Sequence, residues 1–235
     1  MYRVPYQYEA LSATGFIQQL VSYVANSYLF YVRGEIPDGR NVERVDAGIL
    51  DRYDIRASRW VRARRKRAGM ANVQYLRLGR DFVIIATHGP HPFRVAEADA
   101  IRDVRETPIK AFGYSVSSKG GHAVTRIEVE RFAELKAYFS EVATKRTVRV
   151  LFEEFRSLDF ESYAGVRTQL LGLVKEVNRL RGAAGMAPLP YSAVRFKRRI
   201  VRPFEVASVD DDPTRSGLLD AAEVEEVPDL EAVGE

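Results

Sequence analysis

Apolar positions recur at helical spacing near the start of the chain. Phe16, Ile17, Leu20, Val21 and Val24 follow one another on one side, which predicts a helix over residues 12–26 capped by Ser12 or Thr14. The unbroken apolar run at 28–32, ended by Gly34, predicts a central strand buried on both faces. After a turn at Pro37-Asp38-Gly39-Arg40, Asn41 caps a second helix whose Val42, Val45, Ile49, Leu50 and Tyr53 form one face. Ser58 opens a third helix that stops at Gly69, where a left-handed residue is easiest for glycine. Alternation then replaces the helical period. Residues 71–78 and 82–87 predict a hairpin turning at Gly79-Arg80, with Gln74 opposite Ile85.

A second hairpin is expected from 109–117 and 122–129, turning at Lys119-Gly120 and placing Ser118 opposite Gly121. In that register Phe112, Tyr114, Val116, Ala123, Thr125 and Ile127 face the core. The other face has a floor of Ala111, Gly113, Ser115 and Ser117 beside His122, Arg126 and Glu128, a trough for a packed helix or a ligand backbone. Between the hairpins, 88–93 reads as a rigid loop and 96–107 as a short helix or lid. From Glu130 onward the pattern is helical. Phe132, Leu135, Phe139 and Val142 form one stripe, and Thr147 and Ser162 open two further helices that look like an antiparallel pair.

These elements predict an α+β fold: an antiparallel or mixed sheet built from a central strand and two hairpins, with flanking helices, a C-terminal helical hairpin and a disordered acidic tail. The expected divisions are an α+β domain over 1–146, a helical hairpin and basic extension over 147–207, and the tail over 208–235.

Charge sharpens that division. The chain of 235 residues has a formal net charge of +4. Residues 208–235 contain ten acids and one base, Arg215, so the tail carries −9, and removing it leaves +13 for residues 1–207. So basic a body favours a polyanionic partner, and the tail is a candidate to compete for the same surface or to dock on a protein partner. With no cysteine, disulfides, thiolate metal sites and cysteine nucleophiles are excluded. No secretory leader or membrane span is read from the sequence, so a cytoplasmic location and no membrane partner are expected.

The basic charge is concentrated in one segment. Arg56, Arg59, Arg62, Arg64, Arg65, Lys66 and Arg67 crowd around Trp60, the only tryptophan. Arg59, Arg62 and Lys66 at i, i+3 and i+7 would make a continuous cationic stripe on a helix. Such a stripe repels itself until an anion neutralises it, and nucleic acid, DNA or RNA, offers phosphates at a matching spacing. Trp60 is expected to anchor the helix to the body, with stacking on a base as its other use. Lys197, Arg198 and Arg199, beside Arg195 and Arg202, form a second cluster and an expected second contact.

Other chemistry is sparse. Asp51, Asp54 and Asp103 read as isolated acids on helix surfaces, turns or salt bridges. The three histidines, His88, His91 and His122, are candidates for a divalent metal site, although their spacing matches no diagnostic ligand pattern. The order of strand, helices, two hairpins and a helix carrying Tyr138 resembles the layout of HUH single-strand endonucleases. That resemblance implies a metal held by two strand histidines and a tyrosine nucleophile. Here the strand reads His122-Ala123-Val124, so the second histidine is absent and no membership is assigned. A metal-dependent single-strand nuclease or transposase-like enzyme using His88, His91, His122 and Tyr138 is therefore the alternative to binding. Tyr138 is expected to finish the apolar stripe of its helix. A module for an acidic protein partner is the third reading. No cofactor is expected outside the metal of the enzyme reading.

Overall fold

Three of the expected caps close the first helices. Ser12 Oγ accepts from the Gly15 amide at 3.1 Å to start α1 (Ala13–Ala25), and Asn41 and Ser58 do the same for α2 (Val42–Arg52) and α3 (Arg59–Arg67). The structure, a computed structural model, describes residues 6–205; the expected acidic tail lies outside the described residues. The remaining elements are β1 (Phe30–Glu35), β2 (Val73–Leu78), β3 (Asp81–Ala86), α4 (Pro92–Ala96), β4 (Arg102–Asp103), β5 (Ile109–Ala111), β6 (Tyr114–Lys119), β7 (His122–Ile127), α5 (Val129–Val142), α6 (Val148–Ser157), α7 (Ala164–Ala183) and a 3-10 turn at Tyr191–Ala193.

The fold is α+β, with two antiparallel sheets among the described residues. The first has the strand order β2-β3-β1-β4, the second β5-β6-β7. The first hairpin has the expected register, with Gln74 opposite Ile85 and Leu78 opposite Asp81, and Gly79 takes φ 60° in its turn. β1 is interior, as its apolar run implied, but it is not buried on both faces. Tyr31 alone is fully covered, because successive side chains look to opposite sides and only the Tyr31 side meets the larger core.

The second hairpin differs from expectation in two ways. Its turn is Gly120-Gly121, with φ 57° and 79°, so Ser117 pairs with Val124 and Ser115 with Arg126. Both central residues of this turn need positive φ, which two glycines supply and Lys119 would resist. The register moves by two residues, so each side chain from Tyr114 to Ile127 keeps its expected face. The expected strand at 109–117 is itself folded into a tight hairpin, with Phe112 at φ 49° and Gly113 at φ 78° between β5 and β6. Phe112 therefore leaves the core face. It is 37% exposed, with its ring edge-on to Phe16 at 5.1 Å, while Ala111 is buried. The stretch expected as a short helix or lid contributes the end of α4 and the edge strand β4.

Two hydrophobic clusters hold these parts. In the larger, α1 lies between the sheets, its Phe16, Ile17, Leu20 and Val24 sharing a core with Tyr31, Val83, Val116 and Ile127, and with α5, α6 and α7. α7 runs close along β7; a Cβ on Gly165 would lie 2.5 Å from the Thr125 carbonyl oxygen, so glycine is needed there. Buried Arg181 of α7 donates to the carbonyls of Ala143 and Arg146 just beyond α5, at 2.7 and 2.9 Å, a cation where helix carbonyls lack partners. No helix among the described residues is long and apolar enough to cross a membrane.

The smaller cluster puts Leu50, Tyr53 and Ile55 against Val73, Tyr75, Ile84 and Phe93, on the opposite face of the first sheet. It contains a fully buried carboxylate. Asp46 of α2 has 0% exposure and accepts from the Tyr75 hydroxyl at 2.6 Å and from Arg77 Nε at 3.0 and 3.1 Å. Arg77 is completed by Glu9 at 2.9 Å and the Gly79 carbonyl at 2.6 Å. Burial opposes the Arg77 charge, and the Asp46 and Glu9 carboxylates outweigh it, raising its pKa. Burial, and then the Asp46 carboxylate, also push the Tyr75 hydroxyl far up, so it stays a donor. The segment bearing Glu9 lies along β2, with Arg77 N to Tyr8 O at 2.8 Å and Ala10 N to Arg77 O at 2.7 Å, which covers the sheet edge.

Removing one member of a buried pair leaves an unmatched charge. Asp46→Ala is expected to lower unfolding free energy by about 3 kcal/mol, the low end for such sites because Glu9 stays on Arg77. Glu9→Gln, at a half-exposed acid, is expected to cost about 1 kcal/mol or less. Urea denaturation of both variants gives the comparison; equal losses would contradict the assignment of Asp46 as the principal partner.

Candidate nucleic-acid interface

α3 is fixed at both ends. Its N-terminus hangs from Ser58, whose Oγ accepts from Val61 N at 3.3 Å. Its C-terminus closes with Met70 N to Arg65 O at 2.9 Å and Gly69 N to Lys66 O at 3.2 Å, with Gly69 at φ 70°. That double reverse bond satisfies carbonyls that a helix end otherwise leaves open. The loop at 88–91 packs directly beneath: Ala71 N donates to Pro90 O at 3.2 Å, and a Cβ on Gly89 would collide with the Gly69 carbonyl oxygen. From the first hairpin, Asn72 Nδ2 donates to Arg62 O at 3.1 Å.

The cations of this segment fall into two groups. Arg56 pairs with Asp51 at 3.3 Å, Arg65 pairs with Asp54, and Arg62 Nη1 donates to Ala57 O at 2.7 Å. Arg62 thus turns inward and breaks the expected stripe through Arg59, Arg62 and Lys66. The side chains of Arg59, Arg64, Lys66 and Arg67 make no hydrogen bond or ion pair among the described residues, and all four are exposed. Trp60 shares their side of the helix, one turn from Arg64 and two from Arg67. It is 81% exposed, which overturns its expected anchoring role. The half-buried Val61, Arg62 and Arg65 are the residues that seat the helix.

Asp51 and Asp54, which read as ordinary surface acids, decide which arginines remain free. The signal for that division lies in the turn between α2 and α3, which keeps Asp51 beside Arg56 and brings Asp54 back against Arg65 of the helix. Its last turn carries Arg64, Arg65, Lys66 and Arg67, cations that suit the negative end of the helix dipole while repelling one another.

The second cationic cluster is strapped to α1 and to the segment that leads into α7. Arg195 donates to the carbonyls of Arg156 and Leu158, Arg198 lies over the Tyr163 ring at 4.9 Å, and Arg199 pairs with Glu161 at 3.5 Å. Gln18 of α1 ties the strap by bonds to Arg199 O at 2.7 Å and Val201 N at 3.2 Å. Lys197 is exposed and its side chain has no bond partner among the described residues.

The histidines have separate settings. His91 is buried and caps α4, its Nδ1 accepting from Phe93 N at 3.1 Å. His88 lies beside the Phe30 ring, 6.1 Å between centroids, and His122 is exposed at the start of β7. Among the described residues no three His, Asp or Glu side chains gather to hold a metal ion. Tyr138 is 44% exposed at the edge of the α5 stripe, and its hydroxyl meets Glu154 Oε1 at 3.2 Å. No protein-family model matches the chain, and no match to it was found among the curated proteins.

Burial, and then the charge of Arg65, lower the His91 pKa below its ordinary 6.5, against a smaller opposing pull from Asp54. Between the lowered and ordinary values the unfolded chain holds the extra proton and the folded chain does not. Stability is therefore expected to fall as pH drops through 6.5. His91→Asn keeps a good cap and cannot titrate, so it should flatten that part of a stability profile measured by denaturation; an unchanged profile would remove His91 as the cause.

Proposed function

We propose that the protein binds nucleic acid, with the solvent face of α3 as the contact surface. The observation that carries this reading is one exposed helix face bearing Arg59, Arg64, Lys66 and Arg67 without counter-charges among the described residues, together with Trp60 at 81% exposure. Neutralising such a face with phosphates releases condensed counterions, a large and sequence-independent driving force. A large aromatic surface left in water beside those cations is costly in a free protein and suits a base stacked upon it. Trp60 therefore favours single strands or unpaired bases over regular duplex. Lys197, Arg198 and Arg199 are the second contact, with Arg199 the weakest because Glu161 already neutralises it.

Binding of labelled single-stranded and duplex oligonucleotides between about 50 and 200 mM salt tests this directly. Replacing Arg59, Arg64, Lys66 and Arg67 together by alanine should reduce the log–log salt slope by about 3 to 4 on duplex. Trp60→Ala should weaken single-strand binding by about 1–3 kcal/mol and duplex binding far less. Unchanged affinity and slope in the four-site variant would overturn the assignment.

A further inference from the structure

The face of the first sheet beneath α2 is only partly covered. α2 leans toward β2, where Asp46 and Leu50 are buried, and its other flank leaves a cavity of about 300 Å3 floored by Val32, Phe82 and Ile84. The Phe82 ring is a fixed part of that floor. It lies across Gly34, where a Cβ would come 2.6 Å from its Cζ. Gly48, in the middle of α2, lines the cavity, and a Cβ there would meet nothing within 4 Å. The absent side chain helps keep the opening.

Polar groups are few and are spread along the rim. Arg44 and Arg52 stand one turn before and one turn after Gly48. The Arg44 side chain has no bond partner among the described residues. Arg52 lies by the Tyr53 hydroxyl, which donates to Glu97 Oε1 and leaves Glu97 Oε2 without a donor among the described residues. Two guanidinium groups against one carboxylate select an anion. A flat apolar floor selects a planar body, and the open carboxylate oxygen selects a ring with N–H donors. The volume is at the small end of ligand cavities, enough for one small molecule.

We infer that this cavity binds a purine nucleotide, its ring on the Phe82–Ile84 floor, its donor edge toward Glu97 and its phosphate on Arg44. The nucleotide is either free or an unstacked residue of a bound strand, since both present the same chemistry. The site is distinct from the exposed face of α3, and its assignment does not rest on nucleic-acid binding there.

Isothermal titration of the full chain with GMP, AMP, UMP and inorganic phosphate tests the site. Saturable purine binding is expected, weakened about tenfold or more by Arg44→Ala. Gly48→Leu should abolish it without lowering Tm, since leucine is the better helix former and the position has room. The four-site α3 variant should bind GMP as the parent does. If that variant still binds a purine oligonucleotide and Gly48→Leu prevents it, the strand is the source; GMP binding alone makes the free nucleotide the source. No heat with GMP or AMP, equal affinity for UMP or inorganic phosphate, or undiminished binding in Gly48→Leu would overturn the proposal, whatever the outcome at α3.

Discussion

A carboxylate shut away from water is tolerable only where its charge is matched and its oxygens are filled, and Asp46 meets that requirement in one way. Arg77 and the Tyr75 hydroxyl occupy its oxygens, while Arg77 in turn reaches Glu9 on the segment that covers the sheet edge. Three pieces of chain far apart in sequence are thereby held in one rotation and one register. A half-turn of α2 would strand the charge in the apolar cluster. The same constraint decides which flank of α2 meets β2, and so which flank carries Arg44, Gly48 and Arg52. It also fixes where Tyr53 and Asp54 leave the helix, and through Asp54 the seat of Arg65 and the roll of α3.

What could be read from the sequence follows the range over which each signal acts. Ser12, Asn41 and Ser58 were legible as caps because a cap needs only its own next three residues. The register of the first hairpin was legible because Gly79-Arg80 sets it locally. Phe112 was not, since a phenylalanine at positive φ runs against its own preference and is held there by the strand pairing around it and by the Phe16 ring. Asp46 carries no local sign of its role. Its burial depends on Arg77, 31 residues onward and on a strand.

The candidate interface shows the same limit at the level of charge. The density of cations at 56–67 was plain, and so was their pull toward polyanions. Which of them remain available was not, because Asp51, Asp54 and the Ala57 carbonyl take Arg56, Arg65 and Arg62 respectively. Nor could spacing reveal that the aromatic ring among them faces outward. The larger half of the helix's charge stays in solvent, on a scaffold stiffened by the Gly69 closure, the Asn72 bond and the loop around Gly89. Rigid presentation reduces the entropy lost when the side chains engage a partner.

The position of Trp60 also governs how the molecule can be watched. Its indole is the only one in the chain and is in water while the protein is folded, much as it would be in the unfolded chain. Tryptophan emission is therefore almost blind to the assembly of either core. Folding has to be followed through far-ultraviolet signals or through buried tyrosines such as Tyr53, Tyr75 and Tyr114. The same indole is an undisturbed optical reporter of the α3 surface, with its background set by solvent alone.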